Sequence, residues 1–393
     1  SFKFGIALLL FTFFVWEQRK FTELGKLYYG KSAPKWSVVE KGGTPCIRYG
    51  ELYTKYSSKI DNVYSHTSID KSKLKFSTGN ELLIPRVGEE PLDFAKHTSW
   101  LSIPNVAIGE MITVLKTKEN PLFLANYLRA KYVFKFARLV EGGNVSNLYF
   151  ERYEDTNILI PSKNEQQNIS KLILKIDKLI TLQQRKLKDI QLLKKAYLKA
   201  IFKSNKSTYK LKDIADYRRG SFPQPYGNPK WYGDDGSLPF VQVIDVAKNL
   251  RLYNSTKQRI SRLAQSKSVF VPKGSILITL QGSIGKVAIT QYDAFVDRTL
   301  LIISNLKKDV DKYYFAYALQ DKFNEEKRKA PGGTIKTITK NALSEFQIKL
   351  PKKDIQKKQS SILQKIDKDI YIINLKLSEL SKFKQFLLQN MFI

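Results

Sequence analysis

The sequence predicts an α/β (α+β) fold of two similar globular modules separated by two long antiparallel coiled-coil helices, a pseudo-two-fold internal repeat. Three observations carry this expectation. Residues 159–202 and 349–392 are versions of one another at a constant offset of 190. Each copy is a proline followed by a heptad-patterned run. The stretches outside these copies carry short β-rich runs broken by Gly and Pro.

The chain opens on an apolar segment, residues 1–16. Phe4 to Trp16 is almost wholly apolar but falls short of the ~20 residues needed to cross a bilayer. Trp16-Glu17-Gln18-Arg19-Lys20 follows it without a small-residue cleavage pattern, so a buried or non-native segment is favoured over a targeting one.

The first module, residues 17–160, corresponds loosely to the second, residues 207–350. Lys20-Phe21 and Leu24 through Gly30 align with Lys210-Leu211 and Ile214 through Gly220 at the offset of 190. The offset then drifts to 194, where Thr44-Pro45-Cys46-Ile47 faces Leu238-Pro239-Phe240-Val241 and Gly79 through Ile84 faces Lys273 through Ile278. It returns to 190 at the glycine pairs Gly142-Gly143 and Gly332-Gly333, as loop insertions on a shared scaffold would make it. Strands are expected at Ser275 to Leu280, Val287 to Thr290 and Leu300 to Ile303, and helices around Pro121 to Arg138 and Val310 to Lys329.

The helices occupy residues 161–206 and 351–393. Ile169, Ile173, Ile176, Ile180, Leu187, Ile190, Tyr197 and Ile201 fall in steps of four and three, and Leu363, Ile366, Ile370, Ile373, Leu377, Leu380, Leu387 and Met391 repeat the stripe. A single such stripe is as often ordinary core as a partner site; two matched stripes most simply pack on each other. Each helix, at roughly forty residues, would span about 60 Å at ~1.5 Å per residue.

Composition narrows the partner. A net charge of +31 and a pI near 9.8 form the electrostatic footprint of a protein that meets a polyanion. With 42% hydrophobic residues the chain can bury substantial cores and is not a disordered basic tail. No long basic amphipathic helix with a continuous aromatic face suggests an anionic membrane, so nucleic acid is the better fit. The lone Cys46 rules out an internal disulfide framework, suits a reducing cytosol, and reads as a small buried apolar residue. His66 and His97 lie in no zinc-ligand pattern, so no metal is expected.

Motifs of chemistry fail on inspection. Asn228-Pro229-Lys230-Trp231 glances at the Asn-Pro-Pro-aromatic motif of adenine methyltransferases, but Lys230 stands where the second Pro belongs. Gly282-Ser283-Ile284-Gly285-Lys286 glances at a phosphate loop, but Leu280 replaces the first Gly and Val287 the magnesium-binding Ser or Thr. No catalytic residues are expected.

The chain resembles the specificity subunit of type I restriction-modification systems from Trp16 to Ile393. Trp16 to Lys20 looks like the family's lead into a first target-recognition domain, and Ile47-Arg48-Tyr49-Gly50-Glu51-Leu52-Tyr53-Thr54 like a run within it. Leu159-Ile160-Pro161 precedes the first spacer helix with Glu165-Gln166 just inside, and Gly282 to Ala288 falls in the second domain. Two departures are the apolar opening through Val15 and Ile355-Gln356, where the first copy has Glu165-Gln166. The resemblance implies a non-catalytic, cytoplasmic subunit that reads a split sequence in double-stranded DNA, one half per domain. Its helices would dock methylation subunits, two of them, for adenine methylation, with restriction subunits completing an ATP-dependent endonuclease. S-adenosylmethionine, ATP and Mg would belong to those partners, and no cofactor to this chain.

Two basic modules on a spacer should engage sites a whole helical turn apart, ~34 Å or a multiple. Base readout needs forked or paired donor and acceptor side chains on loops. The candidates for DNA binding are Arg48, Tyr49, Tyr53, Thr54, Lys55 and Arg86 in the first module. In the second they are Arg218, Arg219, Ser221, Gln281, Ser283, Lys286, Arg298, Thr334, Lys336 and Thr337. On the residues alone two other readings stay open: a non-catalytic RNA-binding or structural basic protein, and a stand-alone DNA-modifying enzyme of unfamiliar motifs.

Overall fold

The computed structural model describes residues 16–31, 33–205, 207–233, 235–307, 309–329 and 338–392. The apolar opening before Trp16, the pair Gly332-Gly333 and Ile393 lie outside the described residues. The chain divides into two compact units, residues 1–183 with 376–393, and residues 184–375.

The first unit holds two five-stranded sheets. One runs in the order Gly25–Tyr29, Ile112–Thr117, Glu81–Pro85, Ser99–Leu101, Lys59–Ile60. Its central strands are apolar on both faces, and strand alternation sorts them. Leu82, Ile84 and Leu115 enter one core cluster, whereas Leu83, Ile112 and Val114 enter another. The first cluster is roofed by α1 (Pro121–Lys131), where Pro121 needs no N–H and the Asn120 side chain accepts the Phe123 N–H at 2.9 Å. The single helix expected to Arg138 is broken at Tyr132 and resumes as Val133–Ala137; the ring of Tyr132 turns back to pack edge-on against Phe21 and Phe136. The second sheet has at its centre β1 (Thr44–Ile47) and β2 (Pro104–Ile108), parallel, with Cys46 beside Ala107 and Ile47 beside Ile108.

The second unit repeats the plan with four strands in each sheet. In the first, Ile276, Ile278, Val287, Ile289, Leu301 and Ile303 face one cluster, and Leu277, Ala288, Leu300 and Ile302 the other. In the second, β3 (Leu238–Val241) and β4 (Ala294–Val296) run parallel, pairing Phe240 with Phe295 and Val241 with Val296. The antiparallel neighbour of each central strand falls one residue short of the same offset: Thr44 sits opposite Thr67, and Leu238 opposite Ile260. The expected helix from Val310 is α3 (Lys312–Lys329).

Both long helices are continuous: α2 (Lys163–Ser204, 42 residues) and α4 (Lys353–Asn390, 38 residues). In the first unit Ile169 and Ile173 of α2 share a cluster with Phe392, and Asp177 pairs with Lys384 of α4 at 2.5 Å. In the second unit Ile201 and Phe202 share a cluster with Leu363, and Lys194 pairs with Asp367 at 2.5 Å. Rising numbers on one helix meet falling numbers on the other, so the helices are antiparallel within each unit. The two ion pairs interchange when 190 is added to Asp177 and to Lys194. The seam is buried at Ile176, Ile370 and Ile373 but only half-buried at Ile180, Leu187, Ile190, Leu377 and Leu380, since two helices alone cannot enclose it.

The first turn of each long helix is anchored by a buried glutamine. Gln166 accepts the Asn120 N–H at 2.9 Å and donates to Glu119 Oε2 at 2.8 Å and to the Pro161 carbonyl at 2.9 Å. Gln356 accepts the Asp311 N–H at 3.0 Å and donates to the Pro351 carbonyl at 2.7 Å. Gln166→Leu leaves the buried Glu119 carboxylate, the buried Pro161 carbonyl and the half-buried Asn120 N–H without this partner, and is expected to cost about 2 to 4 kcal/mol in urea unfolding. Gln356→Leu strands two neutral groups and should cost less. Equal losses would show that the bond to Glu119 adds nothing.

Cys46, in β1, is fully buried, and burial, with a smaller contribution from Glu51, pushes its thiol up to about 11. At pH 8 roughly one thiol in a thousand would be ionised even if reached. A thiol reagent at that pH should therefore leave the folded chain unmodified and label one site after denaturation. Rapid labelling of the folded chain would contradict this burial.

Candidate nucleic-acid interface

In the first unit the side chains of interest gather where the parallel strands end. The Ile47 carbonyl, last in β1, accepts the Gly109 N–H at 2.9 Å, and the next residue, Arg48, opens the short helix Tyr49–Thr54. The Arg48 N–H donates to Glu51 Oε2 at 3.1 Å. Glu51 is itself buried and accepts from Ser65 Oγ at 2.5 Å and from Lys55 Nζ at 2.9 Å. This anchor leaves Arg48 half-buried, with Tyr49 and Lys55 exposed beside it.

The remaining first-module candidates are more occupied. Tyr53 donates its hydroxyl to the Val87 carbonyl at 3.0 Å, and its ring lies 4.9 Å from that of His97. Burial raises the Tyr53 phenol well above its usual range, and burial, with the nearby Arg129, lowers His97. Thr54 Oγ1 donates to the Gly50 carbonyl at 3.0 Å. The Arg86 guanidinium lies 4.7 Å from the Tyr29 ring and 5.8 Å from that of Tyr149, with Nη2 2.7 Å from Met111 Sδ. Such an arginine is already stacked and contacted internally. The structure thus places Arg48, Tyr49, Thr54 and Lys55 together, and sets Tyr53 and Arg86 into internal contacts.

The second unit carries the same strand ending. The Val241 carbonyl, last in β3, accepts the Asp297 N–H at 3.0 Å, and the next residue, Gln242, donates its N–H to Asp245 Oδ2 at 2.8 Å. Asp245 is buried and also accepts the Lys257 N–H at 2.8 Å. The Gln242 amide donates to Tyr226 Oη at 2.8 Å, and the Arg298 guanidinium lies 5.5 Å from the Tyr226 ring. Burial, then the charge of Asp297, raises the Tyr226 phenol. Asp297 is 1% exposed; its Oδ1 accepts the Thr299 N–H at 2.8 Å, while Oδ2 has no hydrogen-bond partner among the described residues.

Arg218 and Arg219 are exposed on the edge strand Ala215–Arg219, and Ser221 Oγ donates to the Lys267 carbonyl at 3.1 Å. Gln281 and Ser283 are exposed on a turn tied by Thr279 Oγ1 to the Ser283 carbonyl at 2.6 Å. Lys286 is half-buried, its ammonium 3.5 Å from the Val246 carbonyl. Thr334, Lys336 and Thr337 lie outside the described residues. Gln242 and Tyr226 were absent from the sequence candidates. The signal for Gln242 was present, since the offset of 194 places it opposite Arg48; Tyr226 reaches it only through the fold.

Among the described residues, no group of three or more His, Cys, Asp or Glu side chains could hold a metal ion, and no helix is long and apolar enough to cross a membrane. The arrangement offers polar and cationic groups on rigid strand ends and no assembled catalytic set.

Comparison with known proteins also finds the chain doubled. The family described as "Type I restriction modification DNA specificity domain" matches twice, over residues 15–192 and 203–382. The type I restriction enzyme MjaX specificity subunit of Methanocaldococcus jannaschii is 24% identical over 69% of this chain and 67% of that protein. The MjaIX specificity subunit of the same organism is 29% identical over 40% of this chain and 37% of that protein. Among solved structures, the S subunit of a type I restriction-modification system from M. genitalium superposes with a TM-score of 0.64 at 16% identity, covering 97% of both chains. A chain from a structure concerned with complex assembly and conformational transition of the type I system gives 0.54 at 15%, covering 96% of this chain and 97% of that one. At these identities the likeness to the solved structures is one of fold.

Proposed function

This chain belongs to the type I restriction modification DNA specificity domain family, and on that premise we propose that it is the DNA-recognition subunit of such a complex, each module reading one half of a bipartite target. The observation that carries this reading is the doubling: one family domain occurs twice, and each copy ends a parallel strand pair in a half-exposed polar residue whose N–H is tied to a buried acid. A charge of +31 supplies the sequence-independent attraction to phosphate that lets base contacts discriminate. The chain itself performs no chemistry in this scheme. S-adenosylmethionine, ATP and Mg belong to the methylation and restriction subunits it joins, in the cytoplasm. Docking faces for two methylation subunits are offered by apolar side chains left exposed on the long helices: Leu179, Leu182 and Phe386 in the first unit, Leu192 and Leu193 in the second.

The test is a map of methylated adenines in cells carrying this gene and its methylation subunit, against cells lacking only this chain. A split motif that vanishes with the chain supports the reading. An unchanged map removes it and moves the chain toward an RNA-binding or structural role.

One substitution reports on the edge strand. If Arg219 contacts guanine through both guanidinium nitrogens, Arg219→Ala should weaken recognition of one half-site by about 1 to 3 kcal/mol. Competition binding over base-substituted duplexes checks this, since an equal loss on every sequence would make it a phosphate contact.

A further inference from the structure

We propose that Arg48 and Gln242 are equivalent base-reading side chains, each setting one base pair of the half-site its module recognises. The inference rests on the DNA-recognition reading above and adds the residues that decide specificity.

The equivalence is structural, because in each module the residue follows the last residue of the first strand of a parallel pair. In each, the carbonyl before it accepts the N–H of the residue following the partner strand, Gly109 at 2.9 Å and Asp297 at 3.0 Å. In each, its own N–H is held by a buried carboxylate three residues on, Glu51 at 3.1 Å and Asp245 at 2.8 Å. The backbone at this point is therefore fixed by the same three constraints in both copies. The side chain it projects differs.

That combination is what a specificity position requires: one rigid mount and interchangeable readers. Both readers are side chains whose forked geometry matches a purine in the major groove. Arginine presents two donors to guanine O6 and N7; glutamine presents a donor and an acceptor to adenine N6 and N7.

Neither is consumed by the fold. Arg48 is half-exposed and has no ion pair among the described residues. Gln242 is likewise half-exposed, and its amide donates to the hydroxyl of the exposed Tyr226, which orients the amide without burying it. The other cationic candidate of comparable reach in the first module, Arg86, is stacked between rings. The surroundings suit a polyanion: exposed Lys55 follows Arg48, and exposed Arg298 lies over the Tyr226 ring that carries the Gln242 contact.

The experiment is the methylated-adenine map repeated in cells carrying the chain with Gln242→Arg or with Arg48→Gln. Gln242→Arg is expected to change an adenine to a guanine at one position of one half-site and to leave the other half-site intact. Arg48→Gln is expected to make the reverse change in the other half. The untouched half-site in each variant serves as an internal control for folding and assembly.

Should a variant abolish methylation, the purified complex with its methylation subunit is assayed on duplexes substituted one base pair at a time. A change in preference on the order of 10- to 100-fold confined to one position supports the assignment. A loss uniform over all bases, or a motif unaltered by both variants, overturns it. A wild-type chain that directs no split motif is a different failure, that of the functional reading itself.

Discussion

Phe392→Ala is expected to destabilise the first unit by about 3 to 5 kcal/mol. The ring is 2% exposed, lies 5.6 Å from that of Phe123 and 5.3 Å from that of Tyr127, and shares its cluster with Ile169 and Ile173. Truncation removes the apolar transfer energy of a large side chain and leaves a cavity lined by other aromatic groups and by α1, which is itself pinned by Asn120 and cannot collapse inward. The counterpart 190 residues earlier, Phe202, is 3% exposed and has one ring partner among the described residues, Tyr314 at 5.8 Å. Phe202→Ala should cost somewhat less and act on the second unit. Hydrogen exchange separates the two cases. In Phe392→Ala, protection should fall at Glu81–Pro85 and Ile112–Thr117 and persist at Ile276–Thr279; a fall confined to the latter would refute the assignment of this ring to the first unit.

Gly220→Ala is expected to cost about 3 kcal/mol, at the upper end for overpacking. A Cβ built on Gly220 would stand 2.2 Å from the Val296 carbonyl oxygen and 2.4 Å from that of Asp297. Both are backbone atoms at the end of β4, so the strand end must shift, and Gln242 with it. Gly30, its counterpart, would meet the Gly109 carbonyl oxygen at 2.1 Å, and Gly30→Ala should behave alike. The general gain from replacing glycine, about 0.4 to 1 kcal/mol through the unfolded chain, is too small to offset either clash. Gly50 tests that sign. It lies in the short helix after Arg48 with nothing within 4 Å of an added Cβ, so Gly50→Ala should raise the unfolding midpoint. Destabilisation by Gly50→Ala comparable with Gly220→Ala would show that the clash distances do not govern these effects.

The doubled architecture was legible because repetition is a property of order along the chain. The offset of 190 marked both long helices, and its drift to 194 marks the central strands, where Ile47 and Val241 each end a parallel pairing. Strand and helix runs were visible because the two periods of burial differ. Roles inside the candidate interface were less visible. Arg86 looks like any basic loop residue until Tyr29, Met111 and Tyr149, each from a different part of the first module, close around it. Tyr53 is a solvent candidate in sequence and a hydrogen-bonded, half-buried phenol in the fold. The break at Tyr132 also depends on rings far away in the chain. Gln242 stands at the position the register pairs with Arg48, but that this position ends a parallel strand and is held by a buried acid is visible only in the fold.

The first unit is not a continuous length of polypeptide: residues 376–393 belong to it, although the whole second unit intervenes. During synthesis, then, the module made first cannot finish folding first. Its sheets can form once residue 160 or so has emerged, yet the cluster around Phe123 stays open until Phe392 arrives more than two hundred residues later, some tens of seconds of translation at the slower rates. The second unit meets no such delay, since everything from Gln184 to Leu375 is contiguous. The order of manufacture is therefore inverted at the level of completed cores, and an exposed aromatic floor is the state in which the nascent chain waits.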